Sequence, residues 1–144
     1  MTKLTPEQHQ DIAATLANMT LSSGIGDRVN ACSIAAINLA LTNTLTDDIP
    51  LCMSLVIGNW IIAIQDAMPD AMRNSATWKG LLQLAAGTGR EFEQERDLIV
   101  REFRAARGLA RHYDWRHIWE TWNPCGTLER LIAVGGQPTT ALAS

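Results

Sequence analysis

Cysteine is scarce in this sequence. Cys32, Cys52 and Cys125 are odd in number, widely spaced and form no Cys-x-x-Cys pair. That argues against a disulfide framework or a zinc knuckle and reads as reduced thiols in a core. No apolar run reaches the 18 or more residues of a membrane span; the longest, residues 51–64, stops well short. The first eight residues are polar and lack the apolar stretch of a secretory leader. Charge of neither sign dominates, because 12 basic and 15 acidic residues leave a formal net charge of −3. This is not the profile of a general nucleic-acid binder. The alternation of a half-buried strand is almost absent, and no internal repeat is visible.

What remains is a chain of 144 residues that is 47% hydrophobic and 19% charged, enough for the core of one domain. Apolar residues recur at intervals of three and four, so the expectation is an all-α, single-domain bundle of six or seven helices over 1–134. A flexible tail is expected over 135–144. Residues 51–64 read as a central helix buried on most sides, with Pro50 in its first turn and Asp47 or Asp48 as cap.

The other helices follow from their punctuation. Thr5 and Gln8 form a capping box around Pro6, which starts a helix running to about Leu21. Ser22-Ser23-Gly24-Ile25-Gly26 ends it. Asp27 is expected to cap a second helix from Arg28 to Leu41, whose small-residue face includes Ala35 and Ala36. Asn38 lies near that face and needs a buried partner. Pro69 stops the central helix near Met68, and Asp70 to Asn74 add a turn. Ser75 or Thr77 caps a helix that closes at Gly87-Thr88-Gly89. A long helix follows from Arg90 to about Tyr113, with Phe92, Ile99, Phe103, Ala106, Ala110 and Tyr113 on one stripe. A short helix around 115–122 and a last one from Pro124 complete the chain.

Each motif that could carry chemistry has a plainer structural reading. Gly87-Thr88-Gly89-Arg90 resembles part of a phosphate-cradling loop, but neither glycine-rich nucleotide pattern is complete and a helix stop and restart accounts for it. Asp66 and Asp70 flank Pro69 as a helix end and the next start rather than an acid–base pair. His9, His112 and His117 lack the four-residue spacing of helix-borne metal ligands and read as surface residues. No nucleophile is matched to a base. The expectation is therefore no catalytic constellation, no metal and no cofactor.

Two stripes stand out. Arg101, Arg104, Arg107 and Arg111 share one face of the long helix. They could meet an acidic partner, though acids first and bases last is what the helix dipole favours without one. Trp115, Trp119 and Trp122 form an aromatic stripe that suits either a core or a protein interface. An alternative ligand site would use Asn38, Asn59, Gln65 and Arg73 beside the central helix.

Three stretches carry a resemblance. They are Gly26-Asp27-Arg28 with the run from Ala31 to Leu41; Val56-Ile57-Gly58 with Trp60-Ile61-Ile62 and Gln65 to Pro69; and Met72 to Ser75 with Ala86 to Arg90. Together, over residues 24–95, they resemble an uncharacterised family of small helical proteins encoded in phage and bacterial genomes. The resemblance implies a phage or mobile-element context and a cytoplasmic setting, and brings no site residues with it. The function expected is a non-enzymatic interaction module that binds a protein partner, a second copy of itself as a homo-oligomer included, as inhibitor or adaptor. A small-molecule-binding protein or enzyme with a pocket between helices is the first alternative. Nucleic-acid binding through the arginine face is the second. No membrane partner is expected.

Overall fold

A computed structural model describes residues 4–22, 26–109 and 124–136, with side chains of the 93–109 helix described through Ala106. Among these residues the chain folds as one all-α unit of seven α-helices with almost no strand. The predicted helix around 115–122, with Trp115, Trp119 and Trp122, lies outside the described residues. So do Ala110, Arg111, His112, Tyr113 and His117, and the tail beyond Gly136.

Helix α1, Pro6–Ala17, starts at the predicted capping box: Gln8 N donates to Thr5 Oγ1 at 3.1 Å and Thr5 N to Gln8 Oε1 at 2.9 Å. It ends before the expected Leu21, because Thr20–Leu21 (β1) pairs in parallel with Asn30–Ala31 (β2). The Asn74 side chain completes the free edge of β1, accepting from Leu21 N at 2.7 Å and donating to Leu21 O at 3.0 Å.

Helix α2, Ser33–Thr42, begins five residues later than expected and is capped by Cys32, not Asp27. Asp27 closes a turn of its own instead: its Oδ1 accepts from Val29 N and Asn30 N, each at 2.8 Å. Short acidic side chains offer the backbone this alternative to a helix start. The same two amides, Asn30 first, hold the Asp27 carboxyl below the usual carboxylate range.

Helix α3 runs from Leu55 to Gln65, so the expected start at 51 is wrong by four residues. Residues 51–53 form a turn after Pro50, and Ser54 caps the helix through Ile57 N at 3.1 Å, leaving Asp47 and Asp48 no capping role. The helix buries Ile57, Trp60, Ile61 and Ile64, while Leu55, Asn59 and Ala63 mark an exposed edge. The apolar run thus holds two structures, a turn and a helix with one wet side.

Gly58 lets Ile49 lie against that helix; a Cβ at 58 would meet the Ile49 side chain at 2.7 Å. Overpacking of this kind costs about 1–3 kcal/mol, and alanine recovers about 1 kcal/mol of helix propensity. Gly58→Ala is therefore expected to destabilise the protein by about 1 kcal/mol. Ile49→Ala in the same chain should remove the penalty specific to Gly58→Ala. Urea denaturation checks this; a stabilised Gly58→Ala single variant would contradict the close approach.

A single turn, α4 (Asp70–Arg73), follows Pro69, and Ser75 caps α5 (Ala76–Ala85) through Trp78 N. Helix α6, Glu93–Leu109, begins three residues later than expected, after left-handed backbone at Gly89 and Phe92. Helix α7, Pro124–Ala133, turns Cys125, Leu128, Leu131 and Ile132 inward as expected. A 3-10 turn, Val134–Gly136, carries ordered structure two residues into the expected tail. Helices α1, α2 and α5 pack on one another, α3 joins α2 to α6, and α7 bridges α5 and α6. Trp60 sits at the centre, 5.4 Å from the Phe103 ring and 6.4 Å from Trp78.

Candidate functional site

The most concentrated polar chemistry lies where α3 meets α6. Ser54 Oγ donates to Glu93 Oε1 at 2.5 Å, and Val56 N donates to Glu93 Oε2 at 3.1 Å. Glu93 therefore places its carboxylate on the amino end of α3, where the helix dipole favours negative charge. Ser54 N donates to Thr88 Oγ1 at 3.0 Å, and Thr88 Oγ1 donates to Ala85 O at 2.8 Å. Beneath them lies Arg96, fully buried. Its Nε donates to Leu131 O at 3.0 Å, and its Nη1 to Glu91 O at 2.7 Å, Gly89 O at 3.4 Å and Glu93 Oε1 at 3.2 Å.

A serine hydroxyl on a carboxylate can suggest an activated nucleophile. Here Ser54 is fully buried and its oxygen already accepts from Ile57 N. The arrangement ties three helices and a loop together rather than presenting a nucleophile. It also settles the glycine loop. Gly87 N, Thr88 N and Gly89 N donate to Leu84 O, Ala85 O and Cys52 O, and Arg90 reaches Met53 O and Pro50 O. The amides of a phosphate cradle are spent on the fold.

A second cluster joins the start of α2 to the end of α3. Ser33 N donates to Gln65 Oε1 at 3.4 Å, Trp78 Nε1 to Ser33 Oγ at 3.3 Å, and Arg73 Nη1 to Gln65 O at 2.8 Å. Arg73 also pairs with Asp70, and Gln65 Nε2 donates to Asp66. Of the four residues of the alternative ligand site, only Gln65 and Arg73 meet. Asn59 is exposed. Asn38 lies five residues further along α2 and donates to Thr46 O and Asp48 O, each at 2.8 Å. The four do not line one pocket.

The remaining candidates are quickly placed. Arg101 and Arg104 are exposed on α6, with Arg101 Nε 2.8 Å from Asp97. Arg107 belongs to α6 but its side chain, like Arg111, lies outside what is described. His9 is half-buried against Gly87, not at the surface as expected. None of the three cysteines forms a disulfide, and burial pushes each thiol above its ordinary value. A raised pKa keeps the thiol protonated and less nucleophilic. Among the described residues no cluster of His, Cys, Asp and Glu could hold a metal ion, and no helix is long and apolar enough to cross a membrane.

Sequence reasoning missed Arg96. Its signal was present: Phe92, Arg96, Ile99 and Phe103 are spaced 4, 3 and 4, so the arginine occupies a core position of the stripe. Glu93 as a cap for a different helix left no local trace.

No family model, no curated protein and no solved structure matches this chain.

Proposed function

We propose that the chain is a non-enzymatic helical module that acts by binding a protein partner, a second copy of itself included, as an inhibitor or adaptor. The observation that carries this reading is the outward face of α6. Leu98 is 65% exposed there, with Arg101 and Arg104 exposed on the same helix. An apolar side chain beside guanidinium groups is the composition that partner surfaces favour. The buried ionisable groups Arg73 and Arg96 are engaged in holding helices together. The tryptophan stripe extends the proposal on sequence grounds. A phage or mobile-element setting and a cytoplasmic location belong to it on the same grounds. Nucleic-acid binding through the arginine face finds less support, since Arg101 is paired with Asp97 and the net charge is −3.

The test is the pair Leu98→Asp with Arg104→Glu. Both side chains are exposed, so the circular dichroism spectrum and melting temperature should hold. Light scattering and capture from host lysate should show the assembly or partner of the native chain weakened by about tenfold or more. A native chain that is monomeric and captures nothing, or a double variant that keeps its partner, overturns the proposal.

A further inference from the structure

Helix α6 leaves one strip of its surface bare. Leu98 is 65% exposed at the middle of that strip, and Gln94, Glu95, Arg101, Glu102 and Ala105 are exposed around it. We infer that the strip is self-complementary and pairs with the same strip of a second copy, the two α6 helices running antiparallel and crossing at Leu98. The inference rests on the partner-binding reading of α6 and names the partner.

A twofold axis through Leu98, perpendicular to the helix, sets residues equally far before and after it against one another. Glu95 stands three residues before Leu98 and Arg101 three after; Gln94 stands four before and Glu102 four after. In an α-helix, residues three before and three after a central one lie about 4.5 Å along the axis from it and about 60° to opposite sides. The axis therefore lays Glu95 of each copy on Arg101 of the other. Two carboxylate–guanidinium contacts then flank a contact between the two Leu98 side chains. Each Gln94 amide meets a Glu102 carboxylate, which has accepting capacity beyond its contact with Arg130. Arg101 is suited to its part: its side chain is 73% exposed, and the Nε contact to Asp97 uses one of the five guanidinium donors. A parallel pair in register would set Glu95 on Glu95 and Arg101 on Arg101, which repel. The helix dipole accounts for acids early and bases late, but not for their symmetric placement about one exposed leucine. A single helix pair buries less than a standard interface, so the dimer should be weak and sensitive to salt.

Sedimentation equilibrium of the purified native chain over a concentration series should show reversible dimerisation that weakens as salt is raised. Glu95→Arg and Arg101→Glu each turn both attractions into repulsions, so each variant alone should self-associate about tenfold more weakly or worse. An equimolar mixture of the two variants restores opposite charges at both contacts and should dimerise as the native chain does. Both positions are exposed, so the circular dichroism spectra should be native. Recovery on mixing also separates lost charge pairing from lost folding, since a misfolded chain would not regain a partner. A native chain that stays monomeric, a single variant that dimerises like the native chain, or a mixture that stays monomeric overturns the inference. A monomeric native chain that captures a different protein, and loses it on Leu98→Asp with Arg104→Glu, overturns the inference while leaving the wider reading of α6 intact.

Discussion

Arg96→Met is expected to destabilise the folded protein by about 3–5 kcal/mol, the usual cost of breaking a buried charged pair from one side. Methionine fills a similar length, so the loss is electrostatic rather than a void. Leu131 O, Glu91 O and Gly89 O each lose a donor, and Glu93 keeps its carboxylate without its cation. One term runs the other way. Arg96 Nη2 is buried with no partner, and its removal relieves about 1–3 kcal/mol. Four broken contacts outweigh one relieved atom, so the net sign is loss. Arg96→Lys should recover only part, because one ammonium cannot serve the directions that a guanidinium fork spans. The contrast is the exposed pair that Arg130 of α7 makes with Glu102 of α6, at 3.1 Å. Arg130→Ala should cost under about 0.5 kcal/mol, since exposed pairs are screened. Urea denaturation of the three variants checks the ordering. An Arg96→Met chain as stable as Arg130→Ala would show that the buried network is not what joins α3, α6 and α7.

Trp60→Ala is expected to cost about 3–5 kcal/mol through the cavity it leaves. The site cannot collapse readily, because Trp60 is packed edge-on against Phe103 at 83° and lies against Trp78. Trp60→Phe should behave differently from what volume alone suggests. The indole Nε1 is buried without an acceptor, and that unsatisfied donor is already a cost in the native state. Phenylalanine removes the orphan donor while keeping most of the ring contact, so its loss should be about 1–2 kcal/mol. Equilibrium unfolding followed by far-ultraviolet circular dichroism separates the two, since it does not depend on the fluorophore being replaced. A phenylalanine variant as damaged as the alanine one would mean that the indole N–H contributes to the core.

Local signals proved readable where one side chain acts on its own segment. The capping box at Thr5 and Gln8, the start at Ser75 and the inward face of α7 are all as expected, whereas the central helix ends at Gln65, three residues short of the expected Met68. Each match is an exchange between residues within a few positions, so neighbours in the chain suffice to specify it. The first residues of α2, α3 and α6 differ from expectation because another arrangement competes for the backbone at each, a local turn at α2 and longer-range partners at α3 and α6. Asp27 is drawn into its own turn ahead of a strand pair, Ser54 shares its cap with Glu93, and Phe92 turns left-handed ahead of the Arg96 network.

The same division holds for the candidate sites. That Asn38 must be partnered was legible in its place on a small-residue face. That its nitrogen is spent on two backbone carbonyls of the 46–48 loop was not. By itself the sequence determined that this is a helical chain with one core and ordinary charge, because apolar periodicity and composition are properties of the string. Only the tertiary structure decided which polar groups are spent and which are left over. A hydrogen bond between residues 39 positions apart, as between Ser54 and Glu93, leaves no mark on either neighbourhood until the helices meet.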